Sequence, residues 1–252
     1  MKKNSYTIKV NLKSNPYRVV IEKGSLKLIG SELISLGIKR STKILIISNP
    51  AVAKHYGDLV LGKLKESGFD ANLLIIEAGE DKKNQNSIAL IHDSAYEHNL
   101  ERSSLMIALG GGVIGDMTGF AASTWLRGIP FIQIPTTLLA MVDASVGGKT
   151  GINHPKGKNL IGAFHQPKLV IVDPETLRTL PQREFKAGMA EVIKYGVIGD
   201  KDLFKKLENA DCIDNFKLMP DELLLDIIYY SVKAKSLIVE KDELEGGLRA
   251  IL

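Results

Sequence analysis

The chain has 252 residues, enough for one large domain or two small ones. Its hydrophobic fraction of 44% and charged fraction of 25% are ordinary for a folded soluble protein and exclude a fibrous or disordered chain. The net charge of +4 comes with no basic run, which argues against a nucleic-acid partner, and no apolar run is long enough to span a membrane. The single cysteine, Cys212, excludes an internal disulfide framework and predicts a reducing compartment, the cytoplasm; the polar residues 1–5 predict no signal peptide.

The first part of the chain alternates between strand and helix patterns. Residues 6–12 and 17–21 alternate polar and apolar side chains on either side of a turn sequence, which predicts a hairpin. Short apolar strands and helical patterns then follow one another, at residues 26–36, 43–48, 51–67, 72–76 and 84–98. This spacing predicts an α/β protein with a doubly wound parallel sheet, whose ligand lies at the carboxyl ends of the strands.

A glycine-rich turn follows the next apolar strand pattern, at residues 105–109. Gly110, Gly112 and Gly115 fit the G-x-G-x-x-G spacing of a phosphate-binding loop that opens a helix. Without Cβ atoms the backbone can approach a ligand closely, and the free N–H groups of a helix start point toward it. No acidic residue lies about twenty positions on, where this motif holds a ribose, so a plain tight turn is the alternative.

A second polar stretch follows the strand pattern at residues 131–134. Thr136 and Thr137 offer hydroxyl groups at a predicted helix start, and Gly147-Gly148-Lys149 is a second glycine turn that carries a cation. Side chains that contain nitrogen are frequent in the next ten residues: Asn153, His154, Lys156, Lys158 and Asn159. Together with the intervening acid Asp143, this stretch predicts an anion pocket, and a solvated loop is the alternative.

The chain changes character after a strand pattern at residues 169–173. Residues 183–197 form a helical pattern that is apolar nearly all round, which predicts a buried helix, and a helical pattern continues at 221–239. We therefore predict a boundary near Leu180, between an α/β domain (1–180) and a helical domain (181–252). A buried Glu191 on this helix needs a cation or a proton, and an ion pair with Lys194 is the default expectation.

Three long runs carry a resemblance to a known family: GGGVIGD, RGIPFIQIPTTLLAMVDASVGGKTGINHPKGKNLIGAFHQP and GMAEVIKYG. They resemble the signature runs of the 3-dehydroquinate synthase family, and other sugar-phosphate cyclases share part of the pattern. The resemblance is dense between residues 105 and 199. It implies a lyase of the shikimate pathway of aromatic amino acid biosynthesis, which converts 3-deoxy-D-arabino-heptulosonate 7-phosphate to 3-dehydroquinate and phosphate.

The resemblance also implies two cofactors, and a homodimer for the full-length form. NAD would accept a hydride and later return it, and a divalent metal, zinc or cobalt, would polarise the oxygen being oxidised. The implied NAD-binding residues are Gly79, Glu80, Lys83, Gly112, Val113, Ile114, Gly115, Asp116, Thr136, Thr137, Lys149, Lys158, Thr176, Leu177, Arg178 and Thr179. For Asp81, beside the first of these, we favour a simple charge at a helix N-terminus.

A sugar-phosphate substrate with a carboxylate needs cations at both ends. The resemblance implies that it is bound and converted by Arg127, Asp143, Lys149, Asn159, Lys194, Lys235 and Arg249. Arg127 suits a two-point grip on phosphate or carboxylate oxygens. Without the resemblance, Lys235 would be expected to be a solvated lysine on its helix. Glu191 is the implied metal ligand.

The family's two other metal ligands are histidines from a segment that follows the run EGGLRAIL, and this chain ends at that run. The apolar residues 248–252 predict a truncated enzyme, whose metal binding and activity we leave open. Three alternatives also stay open: a related sugar-phosphate cyclase, a glycerol-dehydrogenase-like enzyme, and a non-catalytic NAD-binding fragment or paralogue.

Overall fold

The computed structural model of the protein describes residues 5–252. The domain prediction that starts at residue 1 and the prediction of no signal peptide thus fall partly on residues 1–4, outside that range. The strands in this range are β1 (Ser5–Val10), β2 (Tyr17–Glu22), β3 (Lys43–Ser48), β4 (Asp70–Ile75), β5 (Leu105–Gly110), β6 (Phe131–Pro135), β7 (Lys149–His154), β8 (Gly157–Phe164) and β9 (Leu169–Val172).

Seven strands form one sheet within the described range, in the order β1-β2-β9-β6-β5-β3-β4. All neighbours in this sheet pair in parallel except β1 and β2, which form the predicted antiparallel hairpin at the edge. The central strands β5, β6 and β9 are buried along their whole length, because helices cover both faces of the sheet. The predicted α/β class with a parallel sheet is thereby confirmed.

Helices connect and cover these strands: α1 (Ile29–Ser35), α2 (Pro50–Glu66), α3 (Gln85–Glu97), α4 (Gly112–Thr124), α5 (Gln182–Ile198), α6 (Lys201–Glu208) and α7 (Asp221–Lys241). The predicted helix at residues 26–36 begins as a 3-10 turn, Ser25–Leu28, before α1. A short π-helical turn, Ala140–Ala144, follows β6. None of the helices in residues 5–252 combines the length and apolar composition needed to cross a bilayer.

The stretch from Lys149 to Phe164 corrects one sequence expectation. It is not a loop but a separate two-stranded hairpin, β7–β8, which packs against α4. Gly151 and Gly162 face each other across the hairpin, and a Cβ on Gly151 would lie 2.5 Å from the carbonyl oxygen of Ile161. The hairpin escaped prediction because its solvent-facing strand β8 mixes polar and apolar residues without alternation.

Helix α5 corrects a second expectation, since it is not buried all round. Phe185, Val192 and Tyr195 point into the core, whereas Ile193 is 38% exposed and Val197 is 68% exposed. The inward face packs on α6, α7 and the π-helical turn, and the opposite face has no such cover among the described residues. The apolar composition of the helix was therefore a poor measure of its burial.

The hydrophobic core crosses the boundary that the sequence predicts near Leu180. Val19 and Ile21 of β2 belong to the same buried cluster as Val192 of α5 and Ile228 of α7. Helix α7 packs directly on β1 and β2. The division at residue 180 therefore stays a prediction, and the described residues on its two sides share one core.

Gly188 allows α5 to pack closely on the segment that leads into the π-helical turn. A Cβ at this position would lie 2.6 Å from the Cβ of Leu138 and 2.7 Å from the backbone nitrogen of Leu139. We expect Gly188→Ala to lower the free energy of unfolding by about 2 kcal/mol, because a backbone atom must move to admit the methyl group.

Gly62→Ala is the matched control, since Gly62 lies inside α2 and a Cβ there would meet nothing within 4 Å. It should raise the free energy of unfolding by about 0.5–1 kcal/mol through helix propensity. Chemical denaturation of both variants checks the pair. Equal effects of the two substitutions would contradict close packing at Gly188.

Candidate functional site

The first turn of α4 presents unshielded backbone N–H groups at the carboxyl edge of the sheet. Strand β5 ends at Gly110, and Gly111 precedes the helix without a side-chain cap. A Cβ on Gly111 would lie 3.0 Å from Thr137 Cγ2, and one on Gly112 would lie 3.2 Å from Ala144 Cβ. Glycine thus lets the helix start approach the segment after β6, and a helix start of this kind binds anions.

A cavity of about 600 Å³, here called the glycine cavity, opens over this helix start. Ten of the implied NAD-binding residues line it: Gly79, Glu80, Lys83, Gly112, Val113, Ile114, Asp116, Thr136, Thr137 and Thr179. They come from the segments after β4, β5, β6 and β9, whose carboxyl ends lie at one edge of the sheet. The parallel topology therefore gathers residues that are distant in sequence.

Six other implied NAD-binding residues do not line this cavity: Lys149, which lines a second cavity described below, and five more. Gly115 faces β6, where a Cβ would lie 2.7 Å from Gln133 Oε1, and Thr176 is buried. Leu177 belongs to the core. Arg178 forms an exposed ion pair with Glu175, at 2.5 Å, and Lys158 is exposed on β8. A role for these six in binding NAD stays a prediction.

A second cavity of about 530 Å³, here called the lysine cavity, lies between the hairpin, the π-helical turn and α7. Its polar lining comprises Asp116, Asp143, Lys149, Thr150, Asn159, Lys235 and Glu245. Four of the implied substrate residues are in this set. Asp116 lines both cavities, so a ligand in one cavity can approach a ligand in the other.

Asp143 is the most constrained acid of the lysine cavity. Its Oδ1 accepts hydrogen bonds from Lys235 Nζ at 2.6 Å and from the hydroxyl of Tyr195 at 2.7 Å. Lys235 Nζ also donates to the backbone carbonyl of Asp143 at 2.8 Å. Lys235 is only 6% exposed, so the alternative of a solvated lysine is wrong.

These contacts shift the protonation equilibria of all three groups. Burial alone would raise the pKa of Asp143, but the Lys235 ammonium and the Tyr195 hydroxyl hold it below its usual range. Burial lowers the pKa of Lys235, against the attraction of the Asp143 carboxylate. Burial and the neighbouring carboxylate raise the pKa of Tyr195, which therefore stays a hydrogen-bond donor.

Lys83 joins the two cavities. Its buried ammonium donates to Asp116 Oδ2 at 2.5 Å and to Asn159 Oδ1 at 2.6 Å. Burial raises the pKa of Asp116, and the Lys83 ammonium opposes that effect. The lysine thus links the loop after β4, helix α4 and the hairpin.

Two residues of the implied substrate set, Lys149 and Arg249, fix segments at or next to the lysine cavity. Lys149 Nζ lies 2.5 Å from Glu245 Oε1 across the cavity. Arg249 is buried and donates from Nη1 to the carbonyl oxygens of Glu243, at 2.8 Å, and Gly147, at 3.1 Å. Arg249 therefore fixes the glycine turn before β7 but does not line the cavity.

Glu191 and Lys194 form the ion pair that the sequence offered as the default, and both side chains are partly buried. Lys194 Nζ also donates to the backbone oxygen of Leu252 at 2.7 Å. Neither residue lines either cavity. Among residues 5–252, no three His, Cys, Asp or Glu side chains are close enough to hold a metal ion together.

Arg127 lines neither cavity of this chain. It follows the carboxyl end of α4, whereas the glycine cavity lies at the amino end of the same helix. Its side chain is exposed and its φ angle is +69°. The implied grip on substrate oxygens stays a prediction for this residue.

Several residues that line or shape the cavities were not expected from the sequence. Asn49 and Tyr56 of the α2 segment line the glycine cavity, and Glu245 lines the lysine cavity. Tyr195, which holds Asp143, lies one helical turn beyond Glu191 on α5. The Asn49-Pro50 helix start after β3 was a usable signal, because β3 ends at the same edge as β5.

The fold and the two cavities define a class: a dinucleotide-binding α/β protein whose helical segments complete a cation-lined pocket. Residues 73–187 match the family description "3-dehydroquinate synthase N-terminal", and residues 188–252 match "3-dehydroquinate synthase C-terminal". A 3-dehydroquinate synthase of Prochlorococcus marinus is 65% identical over 252 residues, which are the whole chain and 69% of that relative. The chain belongs to the 3-dehydroquinate synthase family.

Solved structures share the fold. A 2-epi-5-epi-valiolone synthase from Streptomyces hygroscopicus, with NAD⁺ and Zn²⁺ bound, is 29% identical with a TM-score of 0.84, over 95% of this chain and 65% of that one. A 2-deoxy-scyllo-inosose synthase in complex with carbaglucose-6-phosphate, NAD⁺ and Co²⁺ is 24% identical with a TM-score of 0.87. It covers 98% of this chain, which spans 65% of that structure's length.

The Asp143–Lys235 pair predicts how stability depends on pH. The carboxylate's contribution to the free energy of unfolding is complete at neutral pH. This contribution begins to fall below about pH 4, which is the usual pKa of an aspartate in an unfolded chain. It is lost as the pH falls further through the lowered pKa of Asp143. Asp143→Asn should lower the free energy of unfolding by about 3 kcal/mol at pH 7, because the Lys235 ammonium stays buried without its partner. It should also weaken the fall in stability at acidic pH, since the titrating carboxyl group is gone.

The same variant should gain stability as the pH rises toward 10, because the folded state then releases the Lys235 proton more readily than the unfolded state does. Urea unfolding followed at several pH values measures both limbs. Asp58→Asn, on the exposed face of α2, controls for the loss of an acidic side chain. Parallel pH curves for wild type and Asp143→Asn would contradict the pairing.

Proposed function

We propose that this protein converts 3-deoxy-D-arabino-heptulosonate 7-phosphate to 3-dehydroquinate and phosphate, with NAD as a cofactor that is not consumed. The observation that carries the proposal is the meeting of the two cavities at Asp116. One cavity suits a dinucleotide and the other suits a small anionic substrate. Membership of the 3-dehydroquinate synthase family supports this choice of reaction.

The residues of the glycine cavity fit NAD. The uncapped start of α4 offers backbone N–H groups to the pyrophosphate, and Gly111 and Gly112 have no Cβ in the way. Thr136, Thr137 and the loop that carries Glu80 would supply polar contacts around it. NAD, when bound, supplies a reversible acceptor for a hydride.

The lysine cavity fits an anionic, hydroxyl-rich substrate. The ammonium groups of Lys149 and Lys235 would bind phosphate or carboxylate oxygens. Asp143, kept ionised by Lys235 and held by Tyr195, would accept a hydrogen bond or a proton from a substrate hydroxyl. Asn159, fixed by Lys83, would orient a second hydroxyl.

The described residues fit a divalent metal less well than they fit NAD or the substrate. A catalytic zinc site needs about three protein ligands, and Glu191 would supply one oxygen, which now faces Lys194. The metals in the two solved relatives belong to those proteins. We keep Glu191 as a proposed ligand and derive no step through a metal.

The alternatives differ in how closely they match. Solved cyclases with other products are 24–29% identical, against 65% for the Prochlorococcus marinus 3-dehydroquinate synthase, which favours the heptulosonate substrate. A glycerol dehydrogenase from Schizosaccharomyces pombe shares the fold at 15% identity. The homodimer, the cytoplasmic location and the absence of nucleic-acid and membrane partners stay predictions.

Phosphate release tests the proposed reaction. The protein with NAD, a zinc salt and the heptulosonate substrate should release phosphate without net accumulation of NADH. Lys235→Met should lower the rate of phosphate release about a hundredfold, because it removes a preorganised cation from the lysine cavity. Lys241→Met, an exposed lysine at the end of the same helix, should retain the wild-type rate.

Two outcomes would contradict the proposal. Net NADH accumulation with glycerol would identify a dehydrogenase. NAD binding without phosphate release from any sugar phosphate would identify a binding protein that lacks this chemistry.

A further inference from the structure

Asn153 occupies the junction between the two cavities, although it lines neither of them. It lies near the end of β7, opposite the loop after β4 that forms one wall of the glycine cavity. It is also six residues before Asn159, which lines the lysine cavity. A residue in this position can transmit a change from one wall to the other.

The contacts of Asn153 reach both walls. On the side of the glycine cavity, its Nδ2 donates to the carbonyl oxygen of Glu80 at 3.0 Å and to Glu80 Oε1 at 2.8 Å. Its backbone N–H donates to the carbonyl oxygen of Lys83 at 2.8 Å. On the side of the lysine cavity, its Oδ1 accepts from the backbone N–H of Asn159 at 2.8 Å.

The last of these contacts supports an unusual backbone. Asn159 has a φ angle of +55°, in the left-handed region that side-chain-bearing residues rarely adopt, although asparagine tolerates it best. In this conformation Asn159 presents its Oδ1 to the Lys83 ammonium at 2.6 Å. Asn153 and Lys83 therefore hold Asn159 from two directions, and Lys83 itself lines the glycine cavity.

We propose that Asn153 is a positioning residue that couples the two cavities: occupancy of the glycine cavity orders the loop of Glu80 and Lys83, and Asn153 passes this order to Asn159 and the hairpin. The proposal rests on the proposed function, in that NAD is the ligand of the glycine cavity. Its direction is positive, because the contacts that NAD would stabilise also place Asn159 for the substrate. By linkage, substrate would strengthen NAD binding to the same extent.

Hydrogen exchange with NAD alone tests the coupling. Saturating NAD should slow amide exchange in the wild-type protein both at residues 79–83 and in the hairpin, including the Asn159 amide, by about fivefold or more. In Asn153→Ala, NAD should protect residues 79–83 while leaving hairpin exchange within about twofold of the unliganded rate. Asn209→Ala, which removes an exposed asparagine at the end of α6, should behave as wild type.

Asn153→Asp separates the contact with Glu80 from the contact with the Asn159 amide. It is also the test variant to use if the alanine variant folds poorly. The aspartate keeps an oxygen for the Asn159 amide but loses the amide donor to Glu80 and faces its carboxylate. The Asn159 amide should stay protected without NAD, and NAD should add no further protection. A structural role alone would lower protection throughout the hairpin in every state.

The outcomes distinguish this proposal from the function on which it rests. Hairpin protection by NAD that persists in Asn153→Ala would overturn the coupling and leave the function intact. A wild-type protein that gains no protection at residues 79–83 from NAD would overturn both.

Discussion

The two-cavity arrangement depends on one buried cation, the ammonium group of Lys83. Its contacts with Asp116 and Asn159 hold together a loop, a helix and a hairpin that belong to no common sheet. A buried ammonium costs several kcal/mol in lost hydration unless such partners surround it. The geometry of those partners therefore limits where α4 and the hairpin can sit relative to the loop after β4.

Close backbone packing is the second constraint, and glycine makes it possible. Gly188 brings α5 against the segment before the π-helical turn, so that Tyr195 reaches Asp143. Gly151 and Gly162 let the two strands of the hairpin approach. The charged groups are thus placed by small residues, which contribute no chemistry of their own. Buried ion pairs such as Asp143–Lys235 are weak contributors to net stability, and their value lies in fixing the geometry of the site.

Local signals in the sequence were sufficient for much of the fold. Strand β3 was predicted at its observed bounds, because a short apolar run before Asn49-Pro50 leaves little choice. The glycine cavity lies where the glycine turn at the end of a buried strand predicted a phosphate-binding loop. The family resemblance supplied the roles of Asp143 and Lys235, but their contact spans 92 positions of sequence and required the structure.

The failures have physical causes. The β7–β8 hairpin depends on a cross-strand glycine pair, which looks like loop composition when the chain is read locally. The exposed face of α5 could not be predicted, because apolar residues reveal a preference for burial and not which neighbours are present. The role of Arg127 that the resemblance implies is not among these failures and stays a prediction, since the residue lies beyond the carboxyl end of α4 and lines neither cavity.

The central claim is that a dinucleotide lies over the first turn of α4 and beside the lysine cavity. Amide chemical shifts of the isotopically labelled protein during an NAD titration test it most directly. The account predicts a saturable response that is largest at residues 79–83, 111–116 and 136–137, on the walls of the glycine cavity. A saturable response confined to other surfaces, such as residues 205–226 around α6, or no response at all, would contradict it.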